Sequence, residues 1–137
     1  MITFLATGVP SVFRDRTRLR KWLTAVAKDH GQSIGELNYV LMSDLALLKF
    51  NKEFLQHDDF TDVITFDGGQ DGKLVNGDVL MSLDRITDNA KIFGVSTQHE
   101  LRRVMVHGLL HLLGHTDKKP SQRKAMSALE DKYLARW

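Results

Sequence analysis

The stretch from Thr97 to Leu113 constrains the fold most, because between Val104 and Leu113 it is apolar on nearly every side of a helical wheel. A helix of that kind is central and buried, so other elements must surround it. Two histidines, His107 and His111, interrupt the apolar run. Four residues apart, they present both imidazoles on one face about a turn from each other. Thr97 with Glu100 three residues on reads as a capping box, and Gly114 as the stop.

What surrounds this helix is legible in outline. The chain has 137 residues, 42% of them apolar, enough for one real core. Its two prolines, Pro10 and Pro120, mark no linker, so residues 1–137 are expected to form one domain. Ile2–Ala6 reads as a first strand. Val12–His30 has helical spacing, with Leu19, Trp22, Leu23, Val26 and Ala27 on one side and Arg14, Arg16, Arg18, Arg20 and Lys21 on the other. Glu36–Met42 alternates as a strand, and Ser43 or Asp44 caps a helix through Leu55. Asp62–Phe66 and Gly77–Ser82 read as strands joined by a glycine-rich turn over Gly68–Gly72, a hairpin. Helices follow over Leu83–Phe93 and roughly Pro120–Arg136. This order argues for an α/β domain, two-layered or three-layered, with strands of mixed direction.

The chain has no cysteine, which excludes disulfides, thiolate metal ligands and a cysteine nucleophile. Any metal must be held by nitrogen and oxygen. Beyond His111, Gly114 lets the chain fold back, so Asp117 or His115 can approach the same ion. The spacing of His107, His111, Gly114 and Asp117 is that of the metzincin frame, in which the third ligand stands where Asp117 does. Two imidazoles and a carboxylate leave a fourth position open, the mark of a catalytic zinc site, although the same ligands also suit nickel, cobalt or iron. A zinc peptidase needs a glutamate directly after the first histidine. Here that residue is Gly108, which argues against a peptidase.

The run His107-Gly-Leu-Leu-His-Leu-Leu-Gly114 resembles the signature of the YbeY family, single-strand-specific endoribonucleases of ribosomal RNA maturation. Leu48 with Asn51, Thr61-Asp62-Val63-Ile64-Thr65-Phe66, Gly77-Asp78-Val79, and Met126 with Glu130 resemble further family motifs in order and spacing. The resemblance implies an α/β (α+β) sandwich around a mixed four-stranded sheet, with one zinc per chain held by three ligands at the mouth of a basic cleft. It implies ribosomal RNA or its precursors as substrate and ribosomal particles or proteins as partners. Two departures stand out. The family usually has histidine at the Asp117 position and tyrosine at that of His115. It commonly has an arginine, thought to face the reacting phosphate, where this chain has Leu55.

On this reading His107, His111 and Asp117 hold the metal, and His57 or His115 assists proton transfer as the catalytic histidines. Asp58, Asp59 and Asp62 read as turn formers and caps. Counted by segment, residues 1–43 carry +3, 44–88 carry −6 and 89–137 carry +5. The first-helix cations, with Arg102 and Arg103, can guide an RNA backbone, although Arg102 and Arg103 can equally pair with Glu100 or acidic loops. No apolar run is long enough to span a bilayer and no basic leader precedes one, so a cytoplasmic protein without membrane contact is expected. Two other readings remain: a ribosome-assembly protein with a structural zinc, and a metallopeptidase-like hydrolase.

Overall fold

Alternating apolar residues build four strands, β1 (Ile2–Ala6), β2 (Ser33–Met42), β3 (Val63–Asp67) and β4 (Leu74–Ser82). In the computed structural model, which describes residues 1–57, 59–69 and 71–137, they form one sheet in the order β1-β2-β4-β3. Asp58, read above as a turn former, lies outside the described residues. β1 and β4 run parallel to β2, while β3 pairs antiparallel with β4. The hairpin and the mixed direction expected from the sequence are therefore both present.

Five helices complete the fold: α1 (Arg16–Asp29), α2 (Asp44–Leu55), α3 (Leu83–Phe93), α4 (Thr97–Leu112) and α5 (Pro120–Leu134). Strand alternation splits the apolar side chains between two faces. Phe4, Tyr39, Leu41, Val79 and Met81 join Leu23 and Val26 of α1 and Val104, Met105 and Leu109 of α4 in the main core. Met42, Ile64 and Leu80 point the other way and pack with Leu47 of α2. Helix α4 is central as expected, since it packs against α1, α3, α5, β3 and β4.

Three local readings change. The first helix starts at Arg16 rather than Val12, because Asp15 takes a left-handed conformation (φ 54°) and the Val12 carbonyl is held by Gln98 Nε2 at 2.8 Å. Phe13 still reaches the core, from a non-helical segment. Strands β2 and β4 begin earlier than expected, at Ser33 and Leu74, because they extend each other by parallel pairing. Finally, α4 is capped by Ser96, whose hydroxyl accepts from His99 N at 3.0 Å. Glu100 is instead buried beneath Arg103.

The position of α4 depends on Gly108. A Cβ there would lie 2.6 Å from Val79 Cγ1 and 3.1 Å from Val79 Cγ2. Only a residue without a side chain lets the helix come this close to β4, and that approach sets the depth of the two flanking histidines.

Candidate metal centre

His107 and His111 share one face of α4, and Gly114 (φ 102°), in a conformation that favours glycine, turns the chain back after the helix. The turn returns Asp117 to that face. Its Oδ2 lies 3.5 Å from His107 Nε2 and 3.3 Å from His111 Nε2, and the two Nε2 atoms are 3.1 Å apart. Together these three residues form a group that can hold a metal ion.

Hydrogen bonds behind the rings say what the Nε2 atoms carry. His111 Nδ1 lies 3.0 Å from the carbonyl oxygen of His115, which can only accept, so Nδ1 donates and a neutral ring presents a lone pair at Nε2. His107 Nδ1 lies 2.6 Å from Glu130 Oε2 and likewise donates to a carboxylate. In their neutral forms the two rings therefore turn lone pairs toward each other and toward a carboxylate oxygen, an arrangement that a cation satisfies. Ligands bound to zinc at tetrahedral angles lie ~3.3 Å from one another, given Zn–N and Zn–O distances near 2.0–2.1 Å. The separations of 3.1, 3.3 and 3.5 Å bracket that value. The donor set and its spacing both fit the ion.

Glu130 is itself held in place. Its Oε1 accepts from Arg103 Nη1 at 3.1 Å, and Arg103 grips Glu100 through Nε and Nη2 at 2.7 and 2.6 Å. Asp62 Oδ2 lies 3.4 Å from Nη2. Bonding to Glu100, with the charges of Glu100 and Glu130 nearby, holds the guanidinium well above the ordinary arginine pKa. Glu100 and Glu130 are almost fully buried, so Arg103 is the cation that makes their burial tolerable. Sequence reasoning found Glu130 only as part of a motif. Its contact with His107 joins residues 23 apart on different helices, which no local pattern reveals.

The three ligand residues border a cleft of about 490 Å3, further lined by Asn51, Leu55, His57, Asp59, Asp62, Thr65 and Arg103 among others. Asn51 is buried and donates to the Asp59 carbonyl at 2.8 Å, while its own carbonyl accepts from His57 N. It thereby ties the loop after α2 to the rim. His57 lines the cleft and is exposed there. His115 does not: its Nε2 meets His30 Nε2 at 2.8 Å, and only its backbone carbonyl serves the centre. Desolvation, together with the neighbouring His30 and His111, pushes the His115 ring below the usual histidine pKa.

The expected basic cleft is not what forms. Among its described lining residues Arg103 is the one lysine or arginine, and it is engaged by three carboxylates, while Asp59, Asp62 and Asp117 add negative charge. Arg102 turns away from the cleft. Its guanidinium and that of Arg18 lie over the Trp137 ring at 4.7 and 4.2 Å. Burial and the repulsion of Arg18 lower the Arg102 pKa. Of the first-helix cations, Arg16 bonds Ser11 and Arg20 bonds the Ile2 carbonyl, and none of the five lines the metal cleft. Gly108, finally, has no room for any side chain, so the peptidase base position is closed sterically as well as lacking its glutamate.

The family model described as Endoribonuclease YbeY matches residues 9–137. A protein of that name from Cytophaga hutchinsonii is 44% identical over 134 residues, covering 98% of this chain and 94% of the relative. Another from Bacteroides thetaiotaomicron is 41% identical, covering 98% and 97%. Among solved structures, the solution structure of TM1509 from Thermotoga maritima is similar with a TM-score of 0.68 at 27% identity, over 98% of this chain and 87% of that one.

Proposed function

The chain belongs to the family of YbeY endoribonucleases, and on that basis we propose that it is a zinc-dependent endoribonuclease that cuts single-stranded RNA in ribosomal RNA maturation. The observation that carries the reading is the convergence of two imidazole lone pairs and a carboxylate oxygen, backed by donors that have one assignment only. His107, His111 and Asp117 would hold the ion. When bound, zinc supplies a Lewis acid for the phosphate and makes water acidic enough to be a nucleophile near neutral pH.

The chain's own residues supply the rest. Glu130 and the His115 carbonyl orient the ligand rings, and Arg103 holds the buried Glu130 carboxyl in place by donating to its Oε1. His57, exposed at the rim, is placed to pass a proton to the leaving oxygen or take one from water. His115, paired with His30, acts through its carbonyl rather than its ring. Precursor ribosomal RNA is the substrate and ribosomal particles are the partners of this reading, in the cytoplasm. Among the described residues no helix is long and apolar enough to cross a membrane.

One observation favours a second reading, a ribosome-assembly factor whose ion is structural. It is the scarcity of free positive charge in the cleft, with Leu55 at its wall. A single preparation separates the two. Zinc near one per chain that disappears in His111→Ala, with metal-dependent cleavage of single-stranded RNA, supports the nuclease. Metal-loaded protein that binds ribosomal particles yet cleaves RNA no faster than His111→Ala supports the assembly factor.

A further inference from the structure

A second hollow, of about 170 Å3, adjoins the metal cleft on its α5 side and shares His107, Asp117 and Arg103 with it. Arg123, Met126, Ser127 and Glu130 complete its wall. Arg103 has no capacity left there, since its guanidinium is spread over Glu100, Glu130 and Asp62. Arg123 differs. It is exposed, its Nη1 donates to the Lys118 carbonyl at 2.7 Å, and among the described residues no carboxylate is paired with it. That bond fixes the guanidinium from one side and leaves its other N–H donors free.

We propose that this hollow is an oxyanion subsite, in which Arg123 takes a phosphate oxygen of the RNA chain next to the metal. The inference rests on the nuclease reading and deepens it. Phosphodiester chemistry concentrates negative charge on the non-bridging oxygens, and an unpaired guanidinium meets such charge with parallel N–H donors. Among its described lining residues the main cleft offers no such unpaired guanidinium. Two carboxylates also face the hollow, Asp117 and Glu130. Glu130 is tied to Arg103 and accepts from His107, whereas Asp117 has no lysine or arginine partner among the described residues, so a bound metal is what would offset its charge. The subsite therefore forms only in the metal-loaded protein.

Nothing in the sequence marks Arg123 as functional. It stands among Lys118, Lys119 and Lys124 in a basic run that reads as a solvated face, and of these four only Arg123 lines either hollow.

The test uses inorganic phosphate as probe, by titration calorimetry on zinc-loaded protein, beside cleavage of a single-stranded RNA. Arg123→Gln should weaken phosphate binding about 10-fold or more, because one charge-assisted anion contact is lost, with zinc content and melting temperature unchanged. Arg123→Lys should recover part of the loss. Removing the metal should abolish phosphate binding in every variant. In cleavage, Arg123→Gln should lower kcat, and adding Leu55→Arg to it should restore part of the rate from the wall of the adjoining metal cleft. Phosphate binding that is equal in wild type and Arg123→Gln, or that survives metal removal, overturns the subsite. If no variant cleaves RNA while phosphate binding follows Arg123 as stated, the nuclease reading fails and the subsite stands.

Discussion

Replacing Gly108 by alanine puts a methyl carbon 2.6 Å from Val79 Cγ1, 3.1 Å from Val79 Cγ2 and 3.4 Å from Thr65 Cγ2. Unstrained carbon contacts lie near ~3.5–4.0 Å, so about 1 Å must be recovered by shifting α4 or the Val79 side chain. Val79 is fully buried on β4, which is paired on both sides, and has little freedom to yield. Two effects then oppose each other. Alanine gains about 0.8–1 kcal/mol over glycine in a helix interior. Overpacking costs about 1–3 kcal/mol. The net expectation is a loss of up to about 2 kcal/mol, read as a lower urea midpoint at unchanged slope. Since His107 and His111 flank the site of strain, zinc affinity should fall as well. Val79→Ala removes both crowded methyl groups, so the double variant should be more stable than the summed single effects by about 1 kcal/mol or more. A Gly108→Ala protein with a raised midpoint would refute the claim that close helix–strand approach requires glycine here.

Three further outcomes follow from the wiring of the centre. Glu130→Gln, which removes the carboxylate behind His107, should weaken zinc binding about 10- to 100-fold in chelator competition while leaving the fold intact. Arg103→Met strands Glu100 and Glu130 as buried charges and should cost about 3 kcal/mol or more in chemical unfolding. Leu55→Arg places a cation on the cleft wall, where the residue is 41% exposed, and should raise single-turnover cleavage of single-stranded RNA about 10-fold without changing metal content.

What the sequence disclosed follows from how local each signal is. The ligand pair on α4 is set by helical periodicity, the return of Asp117 by a glycine at a positive φ, and the hairpin of β3 and β4 by a glycine-rich turn. All are effects within a few residues. The parallel pairing of β1, β2 and β4 joins segments some 35 to 40 residues apart, and nothing in any one strand encodes its neighbour. The same holds for Glu130 behind His107. Charge misled in a different way, because counting cations by segment says nothing of their partners. Arg102 and Arg103 could be read as guides for RNA or as partners of Glu100 and acidic loops; Arg103 takes the second course, bonded to three carboxylates, and Arg102 takes neither and lies over Trp137. His115 looked like a ligand or proton carrier because it neighbours Asp117 in sequence. Its ring is drawn off by His30, a residue on the far side of the chain order.

X-ray absorption at the zinc edge of the metal-loaded protein, compared with Asp117→Ala, reads the ligand set itself. The wild type should show two imidazole nitrogens and a carboxylate oxygen at about 2.0–2.1 Å, with the carboxylate contribution lost in the variant. A wild-type spectrum of three imidazoles, or one that Asp117→Ala leaves unchanged, would contradict this ligand set.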